Sequence, residues 1–198
     1  SVTGLVNPKD VKKNNGTQFG DVLILTKPLG VGLTLNALRM DDCSKEMQER
    51  VFKSMTTLNK YACDVLKKYD VHALTDVTGF GLLVHLNEML DEKNSAVIYK
   101  DSIPYFDDCQ KYVEEFYLSG AAQTNRNSVE GKISFDCDFF TEEILFDPQT
   151  SGGLLASVSK ADLERLEKDF KENNLELYVV GEVIEKNEYN VYVRGRKI

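Results

Sequence analysis

Thr75-Asp76-Val77-Thr78-Gly79-Phe80-Gly81 runs directly into Leu82-Leu83-Val84-His85-Leu86. Two glycines bracket an aromatic residue, an acid and two hydroxyls lie just upstream, and an apolar, helix-like run follows. The pattern predicts a short strand over 71–74, a turn carrying Asp76, and a helix over 82–91. Glycine lets a backbone approach a ligand closely, and the unpaired N–H groups of a helix's first turn favour anions. A carboxylate at the same place repels a phosphate unless a divalent metal lies between them. Mg²⁺ takes both carboxylate and phosphate oxygens, so Asp76, Mg²⁺ and a nucleotide phosphate form one consistent set. The same residues also suit a plain helix cap by Asp76 or Thr78.

Two further stretches share this chemistry. Leu25-Thr26-Lys27-Pro28-Leu29-Gly30 ends an apolar run, and Asp147-Pro148-Gln149-Thr150-Ser151-Gly152-Gly153 leads into Leu154-Leu155-Ala156-Ser157-Val158. Asp21 to Thr26 and Leu154 to Val158 are continuous apolar runs, the sign of strands buried on both faces. Successive N–H groups near Gly152 and Gly153 suit an anion-binding nest, or an ordinary glycine-rich connection. Lys27, at a strand end, suits either phosphate steering or a solvated terminus.

In this order, T-K-P-L-G, T-D-V-T-G-F-G-L-L and D-P-Q-T-S-G-G-L resemble selenophosphate synthetase (selenide, water dikinase), of the aminoimidazole ribonucleotide synthetase superfamily. The likeness runs from about Val2 almost to the C-terminus. The related aminoimidazole ribonucleotide synthetases, hydrogenase maturation factors and thiamine monophosphate kinases carry different residues at these places. The resemblance implies an α+β fold, a three-layer α/β/α C-terminal domain over 18–198. Residues 1–17 are then a remnant strand (Val2 to Val6) and linker from a preceding ATP-binding domain. It implies the conversion of ATP, selenide and water into selenophosphate, AMP and phosphate, a transferase reaction of selenium metabolism and selenocysteine biosynthesis.

Carried over by position, Asp76 is a Mg²⁺ ligand. Thr75, Thr78, Gly79, Lys27, Arg126, Thr150, Ser151, Gly152 and Gly153 are expected to bind nucleotide. No catalytic residue is expected in this chain, because the family's reactive cysteine or selenocysteine and its lysine belong to the N-terminal domain. The resemblance also implies a cytoplasmic homodimer built mainly by that domain, and a piece that is inactive alone. A non-catalytic paralogue, or a sister synthetase with another substrate, is the alternative.

The chain departs from the family at several points. Gly30-Val31-Gly32 stands for G-T-G, Val84 replaces a glycine, and Ala122-Gln123 replace two glycines before Thr124-Asn125-Arg126-Asn127, which fits T-x-R-N. Arg126 suits a forked phosphate contact or a brace against an acid.

Composition sets outer limits. The chain has 198 residues, 42% hydrophobic and 28% charged, which is ordinary for a globular protein. A net charge of -8 argues against nucleic-acid partners. No apolar run is long enough to cross a bilayer, so no membrane partner is expected. Cys43, Cys63, Cys109 and Cys137 are too scattered for a zinc site and suit buried thiols in a reducing compartment. His72 and His85 are the only histidines, and packing roles suit them better than a metal pair.

Elsewhere the periodicity predicts one helix over 44–69, with Met47, Val51, Met55, Leu58, Ala62 and Leu66 as its buried stripe. It predicts a strand over 96–99, a helix over 107–117 and a strand over 132–137. A helix is expected to open on a Ser159/Asp162 capping box. The chain should close in a hairpin of 177–184 with 189–193.

Overall fold

The computed structural model describes residues 3–8 and 11–196. An inner strand of its sheet, β1 (Val22–Leu25), is buried along its whole length as its unbroken apolar sequence requires. Side chains alternate across a strand, and here they serve two separate cores. Leu23 and Leu25 join a large cluster, while Val22 and Ile24 join a smaller one. A sheet covered on both faces is the three-layer arrangement the resemblance implies.

Around β1 the other strands are β2 (Val71–Asp76), β3 (Asn94–Tyr99), β4 (Ile133–Phe135), β5 (Leu154–Val158), β6 (Tyr178–Glu185) and β7 (Val191–Arg194). They form a mixed seven-stranded sheet in the order β2-β5-β1-β6-β3-β7-β4. The large core lies under α1 (Val31–Arg39), α2 (Lys45–Thr56), α4 (Gly81–Met89), α5 (Cys109–Glu114), α6 (Gly120–Ser128) and α7 (Phe139–Phe146). The other face is covered by α3 (Lys60–Leu66) and α8 (Leu163–Glu172). Among the described residues no helix is long and apolar enough to cross a membrane.

Several expectations are corrected. The predicted helix over 44–69 is two helices, and they lie on opposite faces of the sheet. Met47 and Val51 of α2 enter the large core, whereas Ala62, Val65 and Leu66 of α3 enter the small one. The chain must break at 57–59 to pass between faces, which leaves Leu58 60% exposed rather than buried. The closing hairpin does not form. β3 lies between β6 and β7, antiparallel to the first and parallel to the second. The 186–190 connection instead wraps the start of β3, with Ser95 Oγ donating to Tyr189 O and accepting from Asn187 N–H.

The capping box is absent too. Asp162 accepts the Asp70 N–H at 2.9 Å, and α8 starts only after a 3-10 turn over Lys160–Asp162. Residues 3–6 carry no strand, and Val2 lies outside the described residues. Lys13 O accepts the Leu74 N–H at 2.9 Å, so the linker runs beside β2. Of the four cysteines only Cys109 is buried, the others being half-buried.

At the start of β2, His72 stands between two acids. Its Nδ1 is 2.9 Å from Asp21 and its Nε2 3.1 Å from Asp70. Asp21 also accepts the Gln18 N–H and the Ser157 hydroxyl. Burial pulls the His72 pKa down, but the hydrogen bond and charge of Asp21, helped by Asp70, hold it above the ordinary value. Both nitrogens face carboxylates, so the protonated ring can donate to Asp21 and Asp70 at once. A raised folded-state pKa means stabilisation that is complete below the unfolded value of about 6.5 and fades as pH rises through the folded value. Urea unfolding of the protein and of His72→Gln should therefore show a stability gap that narrows as pH is raised from 5.5 to 8. A gap that is constant or widens would refute the charged pair.

Candidate functional site

The sheet order brings the motifs together. β5 lies between β2 and β1 and is antiparallel to both. Its entry therefore sits where β1 and β2 end, and the loops 26–30, 76–81 and 147–153 meet at one edge of the domain.

They meet through the backbone. Val77 N–H donates to Gly153 O at 2.8 Å, and Gln149 N–H to Thr78 O at 3.0 Å. Thr26 Oγ1 accepts the Leu154 N–H at 2.8 Å. A Cβ on Gly152 would stand 2.2 Å from Val77 O, and one on Gly153 2.6 Å from Lys27 N. Both glycines are buried, so their absence of side chain is what lets three backbones touch.

The same loop caps a helix distant in sequence. Gly30, at φ 105°, turns the chain into α1, which has no cap from its own residues. Its first amides go instead to the 147–153 loop. Val31 N–H donates to Gln149 Oε1 at 3.2 Å and Gly32 N–H to Asp147 Oδ2 at 2.9 Å. Gln149 Nε2 in turn donates to Asp147 Oδ2. A Cβ on Gly32 would lie 2.4 Å from the Asp147 carboxylate, which accounts for that glycine. Burial pushes the Asp147 pKa up to about 7, against the pull of the Gln149, Gly32 and Leu33 hydrogen bonds. Sequence periodicity missed α1 because Gly32, Thr34 and Asn36 are weak helix formers.

Lys27 and Arg126 are both engaged. Lys27 is only 7% exposed, and its Nζ donates to Thr57 O at 2.8 Å and Ser151 O at 2.9 Å. Asn59 Nδ2 reaches Gly152 O at 2.9 Å, so the α2–α3 break and the 147–153 loop are stitched together. Arg126 lies on α6, where no helix was expected. It pairs with Glu142 at 2.6 Å and with Glu143, and covers the Phe146 ring at 4.7 Å. Its neighbour Asn125 was passed over as the variable position of T-x-R-N. It is 3% exposed and donates to Gly79 O at 2.9 Å and Phe146 O at 3.2 Å.

The Asp76 loop is held from below and open above. His85 Nε2 accepts the Thr78 N–H at 3.1 Å and lies 3.2 Å from Thr78 Oγ1. No side chain caps α4, whose N-cap is Phe80. The capping role open to Asp76 and Thr78 is thus not the one adopted. Asp76, Gly79, Phe80, Thr150 and Ser151 are exposed, and Thr75 and Thr78 half-buried. Gly79 has nothing within 4 Å of where a Cβ would be. Among the described residues no group of three His, Cys, Asp or Glu is placed to hold a metal, so Asp76 stands as a single carboxylate. Burial pushes the Cys109 pKa up strongly and that of Cys137 up to about 11.

Residues 18–194 match the family described as AIR synthase related protein, C-terminal domain. The chain is 44% identical over 195 residues to a selenide, water dikinase of Agathobacter rectalis, covering 98% of this chain and 57% of that protein. It is 40% identical over 192 residues to a selenide, water dikinase of Desulfitobacterium hafniense, covering 96% and 56%. It thus spans a little over half the length of these curated relatives. Thiamine-monophosphate kinase from Stenotrophomonas maltophilia superposes with a TM-score of 0.66 at 16% identity, over 98% of this chain and 56% of that one. AaThiL, complexed with AMPPCP and TMP, gives 0.56 at 18% identity, over 94% and 52%. At such identities the likeness concerns the fold.

Two outcomes test this geometry. Gly152→Ala forces a methyl group against Val77 O and should cost about 1–3 kcal/mol in urea unfolding; a neutral change would contradict the close approach. For His85, burial outweighs the charges of Glu88 and Asp76 and lowers the pKa. The neutral ring that accepts from Thr78 is therefore stabilising above the unfolded value of about 6.5, and that contribution is lost as pH falls below it. Corrected for intrinsic rates, hydrogen-exchange protection of the Thr78 amide should fall between pH 7.5 and 5.5. Unchanged protection would remove His85 from that role.

Proposed function

Because the chain belongs to the AIR synthase related proteins through their C-terminal domain, we propose that it is the C-terminal domain of a selenide, water dikinase, making selenophosphate, AMP and phosphate from ATP, selenide and water. The observation that carries this reading is the Asp76 loop. Its backbone is fixed by β5, α6 and His85, yet its carboxylate faces outward and caps nothing. A rigid loop presenting an unused acid is the arrangement expected of a ligand site.

The donors suit Mg²⁺ as a partial shell. Mg²⁺ is commonly held by one or two carboxylates, with phosphate and water completing its octahedron, so a single exposed Asp76 fits. Bound there, the ion would neutralise charge on transferring phosphoryl groups. Thr75, Thr78, Thr150 and Ser151 place hydroxyl groups around it, the Thr78 N–H being held by His85 and the Thr75 hydroxyl by Asp76 O. Gly79 leaves room for a phosphate to come close, while Gly152 and Gly153 hold the loop's shape from behind. Lys27 and Arg126 serve as braces: one fixes Ser151, the other fixes α6 against α7.

In this reading residues 18–198 are the synthetase-like domain, and 1–17 lead from an ATP-binding domain. That preceding domain supplies the nucleotide pocket, the reactive cysteine or selenocysteine with its lysine, and most of a homodimer interface. The enzyme works in the cytoplasm. The departures from the family weigh little against it. Val31, Val84 and Ala122 are buried, at 1%, 7% and 4% exposure, so these three alter packing, while Gln123 is exposed on α6 and donates to Asn127 Oδ1.

Asp76→Asn in the full-length protein separates the roles. Asparagine keeps the size and removes the charge, so stability should stay within about 0.5 kcal/mol. Selenide-dependent AMP formation should fall by orders of magnitude, because a carboxylate ligand is gone. Turnover that survives the substitution would remove Asp76 from the metal site.

A further inference from the structure

The segment 11–18 crosses the edge of the sheet as a strap held near both ends. Lys13 O accepts the Leu74 N–H of β2 at 2.9 Å, and Thr17 O accepts Asn94 Nδ2 of β3 at 2.7 Å. Thr17 is 3% exposed, and the next amide, Gln18 N–H, donates to Asp21 Oδ2 at 2.9 Å. Between these anchors Asn14, Asn15 and Gly16 are all exposed. Gly16 bends the strap at φ 120°, and a Cβ there would stand 3.2 Å from His72 O, so the bend requires glycine.

That requirement places a reactive pair on the surface. Among the described residues no partner holds the Asn15 side chain and no acceptor holds the Gly16 N–H. A glycine nitrogen is also uncrowded, because no side chain flanks it. Asn15 is the only asparagine that glycine follows, while Asn94 and Asn127 precede serine, the next smallest neighbour they have. Both of those are protected. Asn94 is 8% exposed, with its amide on Thr17 O, and Asn127 lies in α6, where the helical ladder takes the Ser128 N–H.

We propose that Asn15 is a site of spontaneous deamidation, and that its conversion to isoaspartate frees the strap from β2. The Gly16 nitrogen gives up its proton and bonds to Asn15 Cγ, and the side-chain amide leaves as ammonia. Water then opens the five-membered imide. Opening at Cγ leaves an ordinary aspartate; opening at the main-chain carbonyl leaves isoaspartate, whose backbone runs through the former side chain. The extra backbone carbon falls between Lys13 and Thr17, so both anchors can no longer hold in register. Either product also adds a negative charge to a chain that already carries -8. The proposal concerns the strap alone and does not rest on the dikinase reading.

Ageing the folded 198-residue chain at about pH 8 tests it. Peptide mass spectrometry should find the amide-to-acid change at Asn15 well before Asn94 or Asn127, and an isoaspartate-specific methyltransferase with labelled methyl donor should mark the same peptide. Hydrogen-exchange protection of the Leu74 amide should fall about tenfold in the modified fraction, the loss of one hydrogen bond. Asn15→Gln, whose longer side chain closes a ring slowly, should start with the same Leu74 protection and keep it. Asn15 left intact, Asn94 or Asn127 reacting as fast in the folded chain, or Leu74 protection unchanged in the isoaspartate form would each overturn the proposal.

Discussion

The contact between the backbone of 147–153 and the ends of β1 and β2 is the constraint on which the site depends. Two buried glycines permit it, because any side chain at Gly152 or Gly153 would lie inside van der Waals distance of a neighbouring backbone atom. Once that approach is made, the loop's remaining polar groups find partners in several elements at once. Asp147 and Gln149 take the free amides of α1, Ser151 O takes Lys27, and Gly152 O takes Asn59. Backbone groups buried this way must be paired, so each partner is also a condition on the loop's shape. A rigid platform results, and Asp76 stands on it with its carboxylate free.

β2 carries opposite electrostatics at its two ends. His72, at the start, is ringed by Asp21 and Asp70 and favours its charged form. His85, packed beneath the loop that follows the strand, is buried and favours its neutral form. The difference is one of surroundings, since desolvation disfavours a charge and nearby carboxylates restore it. The neutral ring can accept from Thr78; the charged one can only donate, and two acids wait for it. Neither histidine is placed for metal binding among the described residues.

Much of the site was legible because its chemistry is local. Glycine-rich turns after apolar runs mark loops at strand ends, and the order of T-K-P-L-G, T-D-V-T-G-F-G and D-P-Q-T-S-G-G identified the family. What could not be read was who meets whom. Lys27 looked like a solvated or phosphate-steering cation, but its partners are carbonyls 30 and 124 positions away. Arg126 suited a phosphate contact or a brace against an acid; it lies on α6 and pairs with two glutamates. Asn125 carried no signal as a motif position, although it holds the Asp76 loop from α6.

The sequence by itself determined the buried strands, the three motif loops and the family, since all depend on residue type and short spacing. Only the tertiary structure decided where helices start and stop and which strands are neighbours. The stripe from Met47 to Leu66 is continuous as a pattern, but a chain that must serve both faces of a sheet has to break between them. The two C-terminal strands are close in sequence and suited to a hairpin, yet β3 gains two partners by entering between them. α1 likewise forms on weak helix formers because Asp147 and Gln149 cap it from more than a hundred residues away. Long-range hydrogen bonds and burial on two faces outweigh local propensity, which spans less than about 1 kcal/mol per residue.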